Sequence, residues 1–375
     1  MIFAGQLPTS KNCVPISLSV PTPNFLKMPD SVPTDYQARV RAQIAQYANP
    51  EGELKLPPIY HYWDVKHIRP RMCTVFGAAD VMLLFVGCAA EAFRQRGASR
   101  RIVSLGAGEC EHEITLIKKL LEVGETDFIL EALELSPVRS GRARERAQKE
   151  GVSRYLTISE ADLNSWVPER KYSIVIAKDT LHHVLELEHL FDSIHEALED
   201  EGTFLTSDMI GRNGHMRWPE ALEIIQGVWK FIPDHYKTNH QLRRVEQTYD
   251  NWDCSKQGFE GIRAQDILPL LVKKFSFRSF LGFGNLPDLF IERGFGHNLS
   301  VDDPHDTGFI DFMEDLNTLL IDLGYLKPTM IRAAMMRYRP NAPPPSCYRH
   351  WTPEFCARVA NPQRGEGAAL RQEAH

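Results

Sequence analysis

The sequence lacks any C-x-x-C pair. Its seven cysteines are scattered from Cys13 to Cys356, and their number is odd. A disulfide framework or a cysteine-based zinc module is therefore excluded as an organising principle, and reduced thiols are the default. Long apolar runs are also missing. The longest, Val81 to Ala90, is closed off by Asp80 and Glu91 and reaches only about half of the ~20 residues a membrane span requires. It reads as a buried helix. The opening stretch MIFAGQLPTSKNCVP has no basic start leading into an apolar segment, so no signal peptide is expected. Positive charge is in deficit: 43 Lys and Arg face 49 Asp and Glu, a net charge of −6, which argues against a dedicated nucleic-acid binder. These absences predict a cytoplasmic protein with no metal site, no membrane contact and no nucleic-acid partner. They leave the oligomeric state open.

What is present is the composition of a globular chain: 375 residues, 43% hydrophobic and 25% charged, enough to bury a large core. Residues 1–35 are rich in Pro, Ser and Thr and read as an irregular arm. Helices are expected at 36–49 and 74–96, separated by Pro57–Pro58 and the aromatic-rich run IYHYWDVKHIRPRM. From 99 onward short apolar runs alternate with helical stripes. Strands are expected at Arg101–Leu105, Phe128–Leu135, Tyr155–Ile158, Tyr172–Ala177 and Gly202–Asp208, with helices at Ile114–Val123, Arg139–Glu150 and Leu187–Leu198. Two late strands are expected at Phe277–Phe283 and near Ala333–Arg339, and helical material from Trp218 to Thr248. Strands alternating with helices at this pitch predict an α/β, doubly wound, mostly parallel sheet. The division expected is an N-terminal arm and helical cap (1–98), a sheet domain (99–340) with a helical insertion at about 216–250, and a flexible tail (341–375).

In such a sheet ligands bind at the carboxyl ends of the strands, near the switch point. Four features fall there. The turn LGAGEC, Leu105-Gly106-Ala107-Gly108-Glu109-Cys110, follows the first strand. Its two glycines permit a tight turn and close approach of a ligand. A dinucleotide site would carry a third glycine where Glu111 stands, and Glu109, Glu111 and Glu113 compete with a pyrophosphate for the helix N-terminus. A cofactor with a positive centre and no phosphate suits the turn better, and S-adenosyl-L-methionine is one. The same G-x-G also fits an ordinary βα turn. Glu134, followed by Leu135, closes the second strand and can accept from ribose hydroxyls; it can equally be a solvated strand end. Asp162 and Leu163 follow the third strand, suited to an adenine amino group and ring face, or to capping a turn. Lys178-Asp179-Thr180-Leu181-His182-His183 leaves the fourth strand. Histidine is the side chain best placed to move a proton near neutral pH, so His182, then His183, are the candidate catalytic residues. Packing of the loop is the alternative.

Taken in order, VSLGAGEC, ALELS, EADLNSW, YSIVIAKDTLHHV and LEDEGTFLTSD, within residues 99–210, resemble a class I (Rossmann-like) S-adenosylmethionine-dependent methyltransferase. The resemblance departs at Cys110, where many members carry a third glycine. PPIYHYWDVKHIRPRM and FIDFMEDLNTLLIDLGYLKPTMIRA are similar to a bacterial subgroup of such enzymes, which suggests a small-molecule type but no particular substrate. The resemblance implies a seven-stranded sheet, with Leu105, Gly106, Ala107, Gly108, Glu134, Leu135, Asp162, Leu163, Lys178 and Asp179 at the cofactor. It implies His182 as the base, and an O or N atom of a small molecule as the methyl acceptor. A scaffold that binds the cofactor without catalysis, or a nicotinamide-dependent oxidoreductase, are the competing readings. DNA or RNA methylation is disfavoured, because KDTLHH stands where an N/D-P-P-Y/F/W motif would. Two further segments are marked. Tyr60–Arg69 is either a docking segment or an aromatic lid over a cation. Trp229–Asp253 is a candidate acceptor wall. His297-Asn298 suggests no chemistry.

Overall fold

The structure, a computed structural model, describes residues 36–47, 55–256 and 258–358. The expected arm at 1–35 lies outside the described residues. In chain order the helices are α1 (Tyr36–Tyr47), α2 (Pro58–Trp63), α3 (Arg69–Phe76), α4 (Val81–Phe93), α5 (Glu111–Glu122), α6 (Pro137–Lys149), α7 (Leu187–Ala197), α8 (Pro219–Phe231), α9 (Ala264–Lys274), α10 (Asp288–Ile291), α11 (Pro304–Asp322) and α12 (Pro353–Cys356). The strands are β1 (Arg101–Leu105), β2 (Ile129–Glu134), β3 (Leu156–Glu160), β4 (Tyr172–Lys178), β5 (Leu198–Met209), β6 (Thr238–Asn239), β7 (Arg244–Val245), β8 (Phe275–Phe283), β9 (Met330–Arg337) and β10 (Ser346–Cys347).

The main sheet runs β10-β8-β9-β5-β4-β1-β2-β3. β1 to β5 are mutually parallel, and β9 is antiparallel to both β5 and β8. The seven expected strands are all present; the eighth, β10, adds two residues parallel to β8 at the edge. The order reverses between β1 and β4. Because parallel crossovers are right-handed, the windings β1→β2→β3 and β4→β5 place α5 and α6 on one face and α7 on the other. β4 is buried along nearly its whole length, as a strand covered on both faces must be. The core runs through Ile102, Val103, Leu130, Ile174, Val175, Phe204 and Leu205, all fully buried.

Several boundaries differ from the sequence expectation. The helix expected at 74–96 is two helices, with the chain turning at Gly77 and Asp80 capping α4 through the Leu83 amide at 2.8 Å. Pro58–Phe93 as a whole is long and apolar enough to pass for a membrane span. This break leaves an uninterrupted α4 of 13 residues lying across β4 and β5. The helical insertion ends at Phe231, since Pro233 forces Ile232 out of the helical region (ψ 143°). A 3₁₀ turn and the β6–β7 hairpin follow instead. The stretch after 340 is packed where it is described: Trp351 is fully buried and donates through Nε1 to Asp322 Oδ1 at 2.7 Å.

The run Tyr60–Arg69 is a docking segment. Trp63 is fully buried and donates to Glu314 Oε2 at 2.8 Å, while Tyr62, Lys66 and His67 all converge on Asp311 of α11. Residues 64–68 form a π-helical turn that joins α2 to α3.

Candidate active site

The β1–α5 loop is shaped by its backbone. Gly106 and Gly108 take positive φ of 67° and 58°, and Cys110, where a third glycine was expected from the family pattern, takes φ 58° as well. Cys110 is fully buried, so side-chain packing offsets a left-handed conformation that costs roughly 1–2 kcal/mol. At Gly106 a Cβ would lie 2.6 Å from Thr180 Cγ2, and at Gly108 it would collide with the Arg139 guanidinium.

Glu134, nearly buried at 6% exposure, ties this loop to β2: Oε2 accepts from the Gly108 amide at 2.8 Å and Oε1 from the Ser136 amide at 2.8 Å. A carboxylate offers about four lone-pair sites, so one remains on each oxygen, matching the two hydroxyls of a ribose. Asp162 follows β3 closely; the Ala161 amide donates to the Glu134 carbonyl at 3.0 Å. Its Oδ1 accepts from the Asn164 amide and side chain at 2.9 and 3.0 Å, and its Oδ2 from the Tyr36 hydroxyl of α1. One site on Oδ2 is left, enough for a single amino hydrogen. Leu105, Ala107, Leu135 and Leu163 line the same strand ends. Lys178 and Asp179 pair with each other there. Glu109 and Glu111 are not aimed at a ligand: Glu109 pairs with Arg142 at 3.1 Å and Glu111 with Arg146, both on α6. Their charge is spent on that pairing, so repulsion of a pyrophosphate is weaker than the bare sequence suggests.

The exit of β4 carries a cluster of titratable side chains. His182, 3% exposed, presents Nδ1 to Asp208 Oδ1 at 2.6 Å. Asp208 ends β5 and also accepts the Thr180, Leu181 and Met209 amides at 2.8, 2.7 and 2.8 Å. With carboxylate oxygens on both sides, Nδ1 donates to Asp208 and Nε2 faces Glu260 Oε1 at 3.5 Å. Glu260 in turn meets His215 Nε2 at 2.7 Å and His183 Nδ1 at 3.7 Å. The loops are locked together: Ile262 donates to the His182 carbonyl at 3.0 Å, and Gly214 to that of Gly261 at 2.9 Å.

Two carboxylates around three imidazoles set the charges. Burial works against a charge on His182, but Asp208 and Glu260 outweigh it and push its pKa up to about 10. Burial likewise opposes the charge on Asp208 and Glu260. The neighbouring His182, joined at Glu260 by His215, nevertheless holds both below the usual carboxylate range. Burial and the charge on His182 bring His183 down to about 4.

The structure thus brings every sequence-predicted site residue to one end of the sheet. Sequence reasoning missed Asp208, His215 and Glu260. The first was visible as an acid closing the fifth strand; the other two come from loops about 30 and 80 residues past His182 and only the fold unites them. The expected acceptor wall is displaced. Trp229 is buried against Phe290 and Phe295 and donates to the Glu246 carbonyl at 2.9 Å. The loops at 212–217 and 258–262 border the His182 cluster. Asn298 stitches the β6–β7 segment, donating to the Tyr236 and Thr238 carbonyls at 3.0 and 2.8 Å, with His240 on its Oδ1.

Residues 116–206, from α5 into β5, match a family model described as a methyltransferase domain. No curated protein matches the chain. Among solved structures it is similar to the DhpI–SAH complex, at 19% identity over 47% of this chain and 71% of that one (TM-score 0.28). It is similar to the glycopeptide N-methyltransferase MtfA complexed with S-adenosyl-L-methionine, at 22% identity over 36% of this chain and 56% of that one (TM-score 0.27). It is also similar to a protein described as a sarcosine dimethylglycine methyltransferase from Galdieria sulphuraria, at 12% identity over 69% and 85% (TM-score 0.36). Nothing about the acceptor follows from likenesses at this level. The domain match and the sheet order show a methyltransferase domain, from α5 into β5, on a sheet of the Rossmann-like, class I type.

Proposed function

We propose that the enzyme methylates an O or N atom of a small-molecule acceptor held beside His182. The observation that carries this reading is the His182–Asp208–Glu260–His215 cluster at the exits of β4 and β5. Thr180 links it to the glycine loop: its hydroxyl donates to the Leu105 carbonyl at 3.0 Å and its amide to Asp208 at 2.8 Å. S-adenosylmethionine supplies an electrophilic methyl on a sulfonium. Gly106 and Gly108 would admit it to the backbone, Glu134 would accept from its ribose hydroxyls, and Asp162 would accept from its adenine amino group. Leu135 and Leu163 flank that position. The acceptor's lone pair would form the new bond to the methyl carbon, with the carbon–sulfur pair staying on sulfur. The acceptor's proton would pass to the Glu260 carboxylate, which the already protonated His182 holds in place through Nε2 at 3.5 Å. Holding the acceptor in line contributes up to roughly 7–11 kcal/mol of barrier reduction, and the proton acceptor about 10²–10⁴-fold in rate. The fold and charge balance are compatible with a cytoplasmic enzyme.

The test uses a methyl-labelled cofactor with small-molecule extracts. Label should pass to a hydroxyl- or amine-bearing product, and His182→Ala should lower turnover by about 10²-fold or more while calorimetric binding of S-adenosylmethionine persists. Full turnover by the variant rejects His182 in this role. Cofactor binding without any labelled product, across acceptor classes, would favour the scaffold reading.

A further inference from the structure

The same cluster has the form of a metal site. One ligand atom from each of His182, His215 and Glu260 lies within 4.8 Å of the other two. Two ligands each about 2.1 Å from a tetrahedral ion sit ~3.4 Å apart; the His182–Glu260 separation is 3.5 Å. The His215–Glu260 separation, 2.7 Å, needs to open by less than about 1 Å to meet the same geometry. The three groups come from three separate segments that the amide bonds described above lock together.

Two independent features point to an ion. First, Asp208 fixes the far nitrogen of His182. This carboxylate–histidine arrangement holds a metal-binding imidazole in one tautomer, with Nε2 presented outward. Four donors satisfy Asp208, so it cannot reorient. Second, His215 carries a non-glycine backbone at φ 55°, a strained conformation that persists where the surroundings over-determine it. That conformation aims its ring at Glu260.

We propose that His182, His215 and Glu260 bind one divalent transition-metal ion, with Asp208 as the positioning residue for His182. Two imidazoles and one carboxylate suit zinc, iron(II), cobalt(II) or nickel(II) better than magnesium or calcium, and three protein ligands leave a position open. On the methyl-transfer reading, that position would take the acceptor. The binding claim stands by itself; the ion's use, to hold the acceptor's heteroatom and lower its affinity for its proton, rests on the methyl-transfer reading. In the loaded protein the ion takes the place of the proton on His182 Nε2, and the acceptor's proton, which the ligating Glu260 and His182 can no longer take, leaves to the neighbouring His183 or to water.

The experiment uses the full chain, stripped with a chelator and titrated with Co²⁺. One equivalent should bind with a visible d–d absorption band, and Zn²⁺ should compete. His215→Ala and Glu260→Gln should abolish the band, and Asp208→Asn should weaken binding about 10–100-fold. Circular dichroism of each variant checks the fold. Should a variant unfold, the wild type decides: its melting temperature should rise with Zn²⁺ and Co²⁺ and stay unchanged with Mg²⁺. No saturable Co²⁺ binding, or equal binding by folded His215→Ala and Glu260→Gln, overturns the proposal. S-adenosylmethionine binding is measured on the same stripped sample. Cofactor binding without Co²⁺ binding removes the metal site alone, and the reverse removes the methyl-transfer reading alone.

Discussion

At the scale of single residues, the two loop glycines answer to different neighbours. Gly106 faces Thr180, whose hydroxyl is already engaged with the Leu105 carbonyl and whose β-branched side chain has little room to rotate. Gly108 faces the outer end of the long Arg139 side chain, which can swing aside. Gly106→Ala should therefore cost about 1–3 kcal/mol and weaken cofactor binding severely, while Gly108→Ala should cost about 1 kcal/mol, chiefly backbone strain. Denaturant unfolding with calorimetric cofactor titration checks both; equal effects would contradict the assignment of Thr180 as the obstacle. The glycines, Glu134, Asp162 and His182 were legible in the sequence because each stands at a strand end that an apolar run makes visible. His215 and Glu260 were not. Their segments have no periodicity, and their meeting depends on long-range pairing that no local pattern encodes. The fates of Glu109 and Glu111 were equally hidden, since the arginines that neutralise them lie on the next helix.

At the scale of elements, the N-terminal segment is held by one buried charge. Glu314, fully buried on α11, accepts from Trp63 Nε1 at 2.8 Å, Arg71 at 2.7 Å and Thr318 at 3.1 Å. Removing the carboxylate strands the Arg71 guanidinium in the interior. Glu314→Ala should lower unfolding free energy by about 3–5 kcal/mol and free α2 and α3 for early proteolysis. A loss below about 1 kcal/mol would mean water satisfies Arg71. Element boundaries were legible where a residue type acts through the backbone. Pro233 carried a stop signal, and the aromatic run before it masked that signal. The break between α3 and α4 was hidden inside an apolar stretch. The docking of Tyr60–Arg69 could not be told from a lid, because both use the same aromatic residues and only the position of Asp311 and Glu314 separates them.

At the scale of the whole molecule, stability should depend on pH through a buried carboxyl. Burial, helped by the charge of Asp288, pushes the Glu292 pKa up to about 7. A raised folded-state pKa means the folded protein holds the proton more tightly than the unfolded chain. The contribution is complete below the ordinary carboxyl value of 4.5 and is lost as pH rises through about 7. Unfolding free energy from this group should thus decline by about 1–3 kcal/mol across that window, and Glu292→Gln should flatten the decline. A melting temperature that is level for the wild type, or equally sloped for the variant, would refute it. The parallel, doubly wound character of the sheet was legible from strand–helix alternation; the strand order was not, and neither was the eighth strand, since two residues leave no pattern.

That smallest strand has a consequence for how copies of the protein meet. β10 pairs with β8 only at Ser279 and Phe280, and α3 and α12 roof the remainder, with Ser346 Oγ donating to the Val75 carbonyl at 3.0 Å. An outermost ribbon left bare is a template on which a neighbour's chain can align its amides and seed fibrous self-association. The short plug and its two roofing helices deny that template, so together they act as a guard against aggregation.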